Sequence, residues 1–219
     1  LPASIHQEWS DLTGQVLLER YGMTEIGMAL SNPYSGERRP GMVGLAMPRT
    51  DVQLVDDAGK VVSGEGAVGE IWVKGPAVFN EYWDNPKATA ESFEGDWFKT
   101  GDIATMENGY YRIMGRSSVD IIKSGGYKLS ALEIEAALLE HPDIAECAVV
   151  GLEDAEWGET VAVAVGLNGG ATLTLEDLQG WASARLSAYK LPRALLVVDA
   201  LPRNAMGKVT KPAVKALFP

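Results

Sequence analysis

The stretch Ser130-Ala131-Leu132-Glu133-Ile134-Glu135 decides the fold class of the second half of the chain. A serine followed three residues later by a glutamate is a capping box, in which two side chains bond unpaired N–H groups at a helix start. The pattern predicts a helix through about Glu140, where His141-Pro142 stops it. Ile134 and Leu138 are four residues apart and supply its buried face.

Apolar strands and further helices alternate after this helix. The predicted elements are strands at Ile144–Leu152, Val161–Leu167 and Leu195–Val198, and helices at Leu175–Leu186 and Lys211–Leu217. Thr174, followed three residues later by Asp177, gives the second of these helices a capped start. Helices that alternate with strands pack on a sheet and cover its apolar faces. Residues 118–219 are therefore predicted to form a small α+β domain.

The first half of the chain has the short apolar runs of a β-rich region. The predicted elements are a helix at residues 4–13, strands at Val16–Leu18, Val52–Val55, Gly69–Val73, Trp97–Phe98 and Tyr110–Ile113, a turn at Asp56–Gly59 and a helix at Pro86–Phe93. Ile5, Trp9 and Leu12 share one face of the first helix. Glycines and prolines make residues 31–50 an extended loop. The chain as a whole is of mixed α/β class, with a domain boundary between residues 117 and 118.

Composition describes an acidic globular protein. The chain has 219 residues, a net charge of −11 and a pI near 4.7. Such a surface repels nucleic acid and anionic membranes, so neither is an expected partner. The single cysteine, Cys147, excludes an internal disulfide and lies in an apolar run that predicts a core thiol. The expected location is the cytoplasm, or an organelle matrix if a targeting segment precedes this sequence, and the oligomeric state is left open.

Tyr21-Gly22-Met23-Thr24-Glu25 follows a predicted buried strand and places polar groups at its end. A glycine lets the backbone approach a ligand closely. The Thr24 hydroxyl is suited to bond a phosphate oxygen, and the Glu25 carboxylate is suited to bind Mg²⁺ together with substrate phosphates. A turn in which Thr24 caps a short helix explains the same five residues without a ligand.

Three further groups combine glycines with charged side chains. In Lys99-Thr100-Gly101-Asp102 a tight glycine turn presents a carboxylate that can accept both hydroxyls of a ribose, although Gly-Asp is also a common turn. Arg116, after Gly115, offers planar donors to a ribose or phosphate. Lys123-Ser124-Gly125-Gly126-Tyr127 allows a thin ligand arm close to the backbone, and it equally describes a hairpin with solvated basic side chains.

The last motif is the loop Pro202-Arg203-Asn204-Ala205-Met206-Gly207-Lys208, with a lysine at its end. A mobile ammonium is a compact charge for neutralising a phosphoryl transition state. A lysine in an acidic protein is ordinarily a surface residue. Each motif, taken by itself, therefore has an ordinary structural explanation.

The order of the motifs along the chain resembles that of the adenylate-forming superfamily, which includes acyl-CoA synthetases, peptide-synthetase adenylation domains and firefly-type luciferases. The matching series is Tyr21–Glu25, Thr100–Asp102, Gly115-Arg116 with Asp120, Ser124–Tyr127 with Glu133–Glu135, and Pro202–Lys208. The resemblance implies that residues 1–117 end a large adenylating domain with a β-rich subdomain. Residues 118–219 would be its small mobile C-terminal domain, with a hinge near residues 116–120.

The resemblance also implies a reaction in two steps. A carboxylic acid attacks the α-phosphate of ATP, the small domain swings, and the CoA thiol then displaces AMP. ATP, Mg²⁺, CoA and a small carboxylic acid are the implied ligands. The implied site residues are Thr24, Glu25 and Lys208 for catalysis, Glu25 for the metal, Tyr21, Gly22, Met23, Thr24, Asp102, Arg116 and Lys208 for the nucleotide, and Lys123, Ser124, Gly125, Gly126 and Tyr127 for CoA.

Residues 19–41, 117–127 and 202–208 are similar to malonyl-CoA synthetases in particular. This similarity implies malonate, or methylmalonate, as the acid, with Arg20 and Met28 in the acyl pocket. A diacid needs a cation at the far end of the acyl pocket, and Arg20 is a candidate for it; a pair with a surface acid explains the same arginine without a ligand. A ligase that loads a carrier protein is a second interpretation, and a non-catalytic module that binds nucleotide or CoA is a third.

Two departures from the family pattern bear on these expectations. Many relatives have Gly-Arg-x-Lys-Asp or Gly-Arg-x-Asp-Asp at the hinge, whereas Gly115-Arg116-Ser117-Ser118-Val119-Asp120 is one residue longer. Ser118 and Val119 are both candidates for the pivot. The family's Ser/Thr/Gly-rich phosphate loop, which lies well upstream, is absent from this sequence. We therefore expect a fragment that by itself adenylates nothing.

Overall fold

The computed structural model describes residues 1–219 and divides into two compact units, Leu1–Ile113 and Met114–Pro219. Both units mix helices with sheets, which confirms the predicted fold class. None of the helices combines the length and the apolar character that crossing a membrane requires. The boundary at residues 117 and 118 and the hinge near it stay predictions.

The first unit contains two antiparallel sheets and two helices. Its elements are α1 (Ala3–Thr13), β1 (Arg20–Met23), β2 (Gly27–Ser31), β3 (Leu45–Ala46), β4 (Asp51–Val55), β5 (Val61–Val62), β6 (Val68–Lys74), α2 (Pro86–Ser92), β7 (Phe93–Glu94), β8 (Trp97–Glu107) and β9 (Tyr110–Arg116), which runs on past the end of the unit. The strand orders are β1-β2-β3 and β5-β4-β6-β8-β7, with β9 paired to β8. Leu30 of β2 shares one core with Ile71 and Phe98, so the small sheet packs against the large one.

The second unit is a five-stranded sheet with helices on both faces. Its elements are β10 (Ile121–Ser124), β11 (Tyr127–Ser130), α3 (Ala131–Leu138), β12 (Ile144–Asp154), β13 (Gly158–Leu167), α4 (Leu175–Ala182), a 3₁₀ turn (Ala188–Lys190), β14 (Ala194–Val197) and α5 (Lys211–Lys215). The strand order is β11-β10-β13-β12, and β14 pairs in parallel with β13. α3 and α4 bury Ile134 and Leu178 on one face, whereas Leu201 and, from α5, Val214 cover the other.

The helix starts agree with the sequence because they depend on neighbouring residues. Ser130 Oγ accepts the N–H of Glu133 at 3.1 Å, and Thr174 Oγ1 accepts the N–H of Asp177 at 3.2 Å. α1 ends at Thr13 as predicted, whereas the other four helices end earlier than predicted, α3 at Leu138. There the backbone tightens into bonds between residues three apart, such as the bond from the N–H of His141 to the carbonyl of Leu138 at 3.0 Å.

The predicted strand at Val16–Leu18 is wrong, because the first strand begins at Arg20, opposite Ser31. Side chains, rather than a neighbouring strand, contact the backbone carbonyl oxygens of this segment. Arg38 Nη1 donates to the carbonyl oxygen of Val16 at 2.6 Å, and His6 Nε2 lies 3.3 Å from that of Leu17. Since these bonds satisfy the backbone without a neighbouring strand, the apolar run stays irregular.

The apolar face of α1 is exposed rather than buried. Ile5, Trp9 and Leu12 are 46%, 44% and 81% exposed, and His6 is the buried residue of this helix. The turn at Asp56–Gly59 is present, but it leads into the short strand β5 before the chain reaches β6. The sequence pattern therefore located α1 and the turn correctly, but it did not determine whether the apolar face of α1 is buried or which strand follows the turn.

Cys147 lies in β12, partly buried against the core beneath α3. Its Sγ is 3.6 Å from the carbonyl oxygen of Glu135. Burial, reinforced by the Glu135 carboxylate, raises the pKa of the thiol to about 12. The thiolate is the reactive form of cysteine, so this thiol is unreactive near neutral pH.

We expect native Cys147 to react with iodoacetamide at pH 8 at least about tenfold more slowly than in the unfolded chain, because burial raises its pKa to about 12 and lowers the thiolate fraction more than it raises the nucleophilicity. Mass spectrometry of the alkylated chain measures both rates, and the chain in urea is the control. Equal rates in the two states would contradict the burial of the thiol.

Candidate functional site

The β1–β2 hairpin carries the first predicted cluster of site residues. Residues 20–23 form β1, and Thr24 and Glu25 lie in the turn that follows. The cluster is thus itself a strand and its turn, and it does not follow a buried strand as predicted. Gly22 is required by the hairpin, because a Cβ there would lie 2.0 Å from the carbonyl oxygen of Gly27. The structure accounts for this glycine by packing, where the sequence suggested close approach of a ligand.

A hydrogen bond joins the first and second predicted clusters. Tyr21 Oη donates to Asp102 Oδ2 at 2.6 Å, across 81 residues of sequence. Asp102 is only 8% exposed, and Tyr21 packs against the core of the first unit. A buried carboxylate with a phenol beside it is an oriented acceptor for hydroxyl groups of a ligand.

The predicted glycine turn at Lys99–Asp102 is wrong, because all four residues belong to strand β8. Strand β6 pairs Glu70 with Ile103 and Trp72 with Lys99, so β8 carries two extra residues at this point. Such an insertion is a β-bulge, which bends a strand and redirects its side chains.

Side chains of β6 and β8 hold this bulge in place. Gly101 has φ of +76°, and its N–H donates to Glu70 Oε1 at 2.8 Å. Thr100 Oγ1 donates to the carbonyl oxygen of Ile71 at 2.8 Å and accepts the N–H of Asp102 at 3.1 Å. The bonds from Gly101 to Glu70 and from Asp102 to Thr100 therefore fix the backbone position of Asp102.

Glu25 is held by an aromatic segment that the sequence did not single out. Tyr82 Oη donates to Glu25 Oε1 at 3.0 Å, and the N–H of Phe79 donates to the Glu25 carbonyl at 2.8 Å. The Phe79 ring contacts the ring of Tyr82 and those of Phe93 and Phe98 in the core. No local pattern marks Tyr82, because its partner is 57 residues away.

The other predicted residues of the hairpin are more accessible. Thr24 and Arg20 are exposed, and Met28 is 45% exposed. No group of three or more His, Cys, Asp and Glu side chains gathers in a metal-binding arrangement.

In the second unit, Asp120 closes the loop Gly115–Asp120 on itself. Asp120 Oδ2 accepts the N–H of Arg116 at 2.9 Å, and the N–H of Asp120 donates to the Arg116 carbonyl at 2.8 Å. Gly115 has φ of +127°, and a Cβ there would lie 2.3 Å from Cβ of Asp120. A glycine is thus needed for the loop to close.

Gly125 and Gly126 form the two-residue turn between β10 and β11. Their φ angles of +57° and +83° are those of a type I′ hairpin turn. The Trp157 ring covers Gly125, where an added Cβ would lie 2.9 Å from the ring, whereas Gly126 meets nothing within 4 Å. Of the two glycines predicted to admit a ligand arm, only Gly126 has open space on its Cβ side.

The flanks of this turn differ in accessibility. Ser124 is buried, and the N–H of Lys123 donates to Glu159 Oε2 at 2.8 Å. Tyr127 is 59% exposed, and its ring stacks on that of Tyr189 with centroids 5.0 Å apart. The turn thus has an aromatic surface beside it that the sequence did not predict.

Lys208 ends a small hairpin, which we call the Lys208 loop (Pro202–Lys208). Asn204 Oδ1 accepts the N–H groups of Met206 and Lys208 at 3.0 Å each, and Arg203 bridges to Val209. Lys208 itself is exposed. The asparagine therefore shapes the loop, and the lysine is presented at its end.

Glu146 of β12 holds the beginning of the Lys208 loop. Its Oε1 accepts the N–H of Leu201 at 2.9 Å, and its Oε2 pairs with Arg203. The Leu201 N–H and the Arg203 guanidinium lower the pKa of Glu146, so the carboxylate is charged at neutral pH.

Lys208 also lines a cleft of about 480 Å³ within the second unit. The lining includes Val119 and Asp120 of the closed loop, and Glu135 and Lys211 from two helices. Residues 123–127 are not part of this lining. In the second unit, Lys208 and residues 123–127 therefore do not line the same cleft.

Comparison with known protein families places both units. Residues 1–83 match the family of AMP-binding enzymes, and residues 133–208 match the C-terminal domain of AMP-binding enzymes.

Individual relatives agree with this match. The mitochondrial malonate–CoA ligase of Bos taurus is 46% identical over 240 residues, covering 100% of this chain and 41% of the relative. The malonate–CoA ligase of Arabidopsis thaliana is 49% identical, with 98% and 37% covered. The crystal structure of ATP-bound MatB from Rhodopseudomonas palustris is 39% identical with a TM-score of 0.87, covering 99% of this chain and 43% of that one. The chain thus spans about two fifths of the length of these relatives.

We expect Gly125→Ala to destabilise the chain more than Gly126→Ala. Both variants place a side chain at positive φ, which costs about 1–2 kcal/mol. Gly125→Ala costs a further ~1–3 kcal/mol, because the Trp157 ring must move. Urea unfolding followed by tryptophan fluorescence measures both values. An equal loss in the two variants would contradict the steric role of Trp157.

Proposed function

Because this chain belongs to the family of adenylate-forming, AMP-binding enzymes, we propose that it is part of an acid–CoA ligase that uses ATP and CoA. The proposed acid is malonate or methylmalonate. The observation that carries the proposal is the bond from Tyr21 to Asp102, which joins two nucleotide-binding motifs of the family into one buried polar site.

In this proposal the first unit binds the nucleotide. Asp102 accepts the ribose hydroxyls, since its carboxylate is buried, oriented by Tyr21 and held by the bulge in β8. Thr24, exposed in the β1–β2 turn, bonds a phosphate oxygen. Gly22 and Met23 of β1 border the same site.

Glu25 is the proposed metal ligand. Tyr82 bonds one of its oxygens and orients the carboxylate, and the only protein ligand we assign is Glu25. Mg²⁺ bound there with substrate phosphates would neutralise charge on the phosphates during transfer.

The first half-reaction makes the acyl-adenylate. A carboxylate oxygen of the acid bonds to the α-phosphorus, and the bond from that phosphorus to the bridging oxygen breaks, releasing pyrophosphate. Lys208, exposed at the end of its loop, supplies a compact positive charge for the negative charge that accumulates on the acid and the phosphate. Arg116 adds a planar donor for the ribose.

The second half-reaction makes the thioester. The CoA sulfur bonds to the acyl carbon, the thiol proton is released, and the bond from that carbon to the AMP oxygen breaks. Lys123, Ser124, Gly125, Gly126 and Tyr127 are the proposed border of the CoA channel. Gly126 leaves open space on its Cβ side, which suits a thin arm. A rotation of the small domain about the loop Gly115–Asp120 would withdraw the Lys208 loop from the reaction site and bring the Gly125–Gly126 turn there in its place.

The choice of malonate rests on relatives and on one cation. Proteins named malonate–CoA ligase are 46–49% identical to this chain. Arg20 is exposed at the start of β1, next to the nucleotide motif, where it can pair with the second carboxylate of a diacid. Met28 of β2 lies opposite Gly22 and is the proposed apolar residue of the acyl pocket.

Lys208→Ala in the full-length enzyme should lower pyrophosphate release with malonate and ATP about 10²-fold or more, because a charge aimed at the transition state is lost. Thioester formation from pre-made malonyl-adenylate and CoA should persist. Lys87→Ala, which changes an 86% exposed lysine, is the control. Full adenylation by Lys208→Ala would remove the proposed role of the Lys208 loop, and acyl transfer to a carrier protein in place of CoA would identify a carrier-loading ligase.

Arg20→Met should raise the KM for malonate about tenfold and leave the KM for ATP unchanged, since a charge-assisted bond to the acid is lost. Steady-state kinetics with malonate and acetate measure the change, and Arg112→Met, another exposed arginine, is the control. A wild-type enzyme without preference for malonate over acetate or fatty acids would rule out the malonate assignment.

A further inference from the structure

The second unit contains a nearly buried ammonium shared by two carboxylates. Lys211 begins α5, three residues after Lys208. Its Nζ lies 2.6 Å from Asp120 Oδ1 and 2.9 Å from Glu135 Oε1, and the three side chains are 12%, 13% and 14% exposed. The sequence motifs include Asp120 and Glu135, whereas nothing in the pattern singled out Lys211.

Each carboxylate also bonds a backbone group of another segment. Asp120 uses its second oxygen to accept the N–H of Arg116 at 2.9 Å, which closes the loop Gly115–Asp120. Glu135 Oε1 also accepts the N–H of Val149 at 2.8 Å. Lys211 is thus connected through one carboxylate to the closed loop and through the other to α3 and β12.

The pair of Lys211 and Glu135 crosses the edge of the sheet. β12 is an outer strand of the sheet, and Val149 is one of its residues. α3 packs on one face of this sheet and α5 on the other. An edge strand with unpaired N–H groups needs a cover. The Glu135 carboxylate covers the edge at Val149 by accepting its N–H. The Lys211 ammonium links this carboxylate to α5 on the opposite face of the sheet.

Lys211 also anchors the end of the Lys208 loop. The N–H of Thr210, the residue before Lys211, donates to the Pro202 carbonyl at 2.9 Å and draws the two ends of the loop together. Glu146 holds the beginning of the loop through Leu201 and Arg203. The ammonium of Lys211 therefore connects the segment that directly follows the Lys208 loop to Asp120 of the loop Gly115–Asp120.

Stability alone is a poor explanation for this cluster. Burial raises the pKa of Glu135, and the nearby Lys211 ammonium opposes that rise. Charged groups cost free energy to bury, and apolar side chains of similar volume often stabilise a fold as well or better. What an apolar cluster would lack is the directed connection between two loops.

We propose that Lys211 is a positioning residue that holds the Lys208 loop in a fixed position relative to the loop Gly115–Asp120. When the Gly115–Asp120 loop changes conformation, the Lys208 loop moves with it as one body. The adenylation step depends on where Lys208 is placed, whereas the Gly125–Gly126 turn lies on a different hairpin. The inference rests on the proposed function of Lys208.

The test is Lys211→Met in the full-length enzyme, with Lys215→Met as the matched control on the same helix. Lys215 is 42% exposed and lies 3.8 Å from Glu159. We expect pyrophosphate release with malonate and ATP to fall about 10²-fold in Lys211→Met, because a misplacement of about 1 Å costs that much. Thioester formation from pre-made malonyl-adenylate should stay near the wild-type rate. Lys215→Met should change neither.

A second readout does not depend on activity. Trypsin should cleave after Arg203 or Lys208 faster in Lys211→Met than in wild type and Lys215→Met, because the loop has lost one anchor. If Lys211→Met fails to fold, Lys211→Met with Glu135→Gln removes one uncompensated charge, and the same loss of adenylation and the same faster cleavage are expected.

The outcomes separate the two proposals. An equal fall of both half-reactions, or unchanged cleavage of the loop, would reduce Lys211 to a structural residue. Unchanged adenylation in Lys211→Met would also overturn the positioning role. A wild-type enzyme that releases no pyrophosphate with any acid would overturn the proposed function itself, and faster cleavage in Lys211→Met would then still report the anchoring of the loop.

Discussion

The antiparallel ladder between β12 and β13 is the constraint on which the second unit depends. Successive side chains of a strand point to opposite faces, and in the buried middle of these strands both sets are apolar. α3 and α4 cover one face of the sheet, at Val149, Val161 and Val163. α5 and Leu201 cover the other face, at Ala148 and Ala162. Because both faces need a cover, α3 and the segment with the Lys208 loop are forced onto opposite sides of one sheet. Only a group that reaches round the edge can connect them, and Lys211 does so.

The bulge in β8 has the corresponding role in the first unit. A regular strand would pair Thr100 and Asp102 in sequence with β6, and no residue would leave the ladder. Two extra residues, held by Glu70 and by Thr100, redirect the strand and bring Asp102 within 2.6 Å of Tyr21. The carboxylate is buried at that point and has its partner already in place. The site therefore follows from a local irregularity of the sheet.

Packing and chemistry use the same glycines. Gly22 is required by the carbonyl of Gly27, Gly115 by the side chain of Asp120, and Gly125 by the Trp157 ring. The structural explanation of these motifs is thus correct, and it does not compete with the functional one. The backbone closes tightly at these three points, next to Tyr21, Arg116 and Asp120, and Tyr127.

Sequence alone determined what depends on neighbouring residues. The helix caps at Ser130 and Thr174, the apolar strands β12 and β13, and the mixed α/β class all follow from patterns a few residues long. The ordered motifs named the family and most candidate residues, because their spacing is read along the chain. Tertiary structure alone decided the bulge at Asp102, the bond from Tyr82 to Glu25 and the cluster around Lys211. These contacts join residues far apart in sequence, and only the pairing of strands and the covering of sheet faces brings them together.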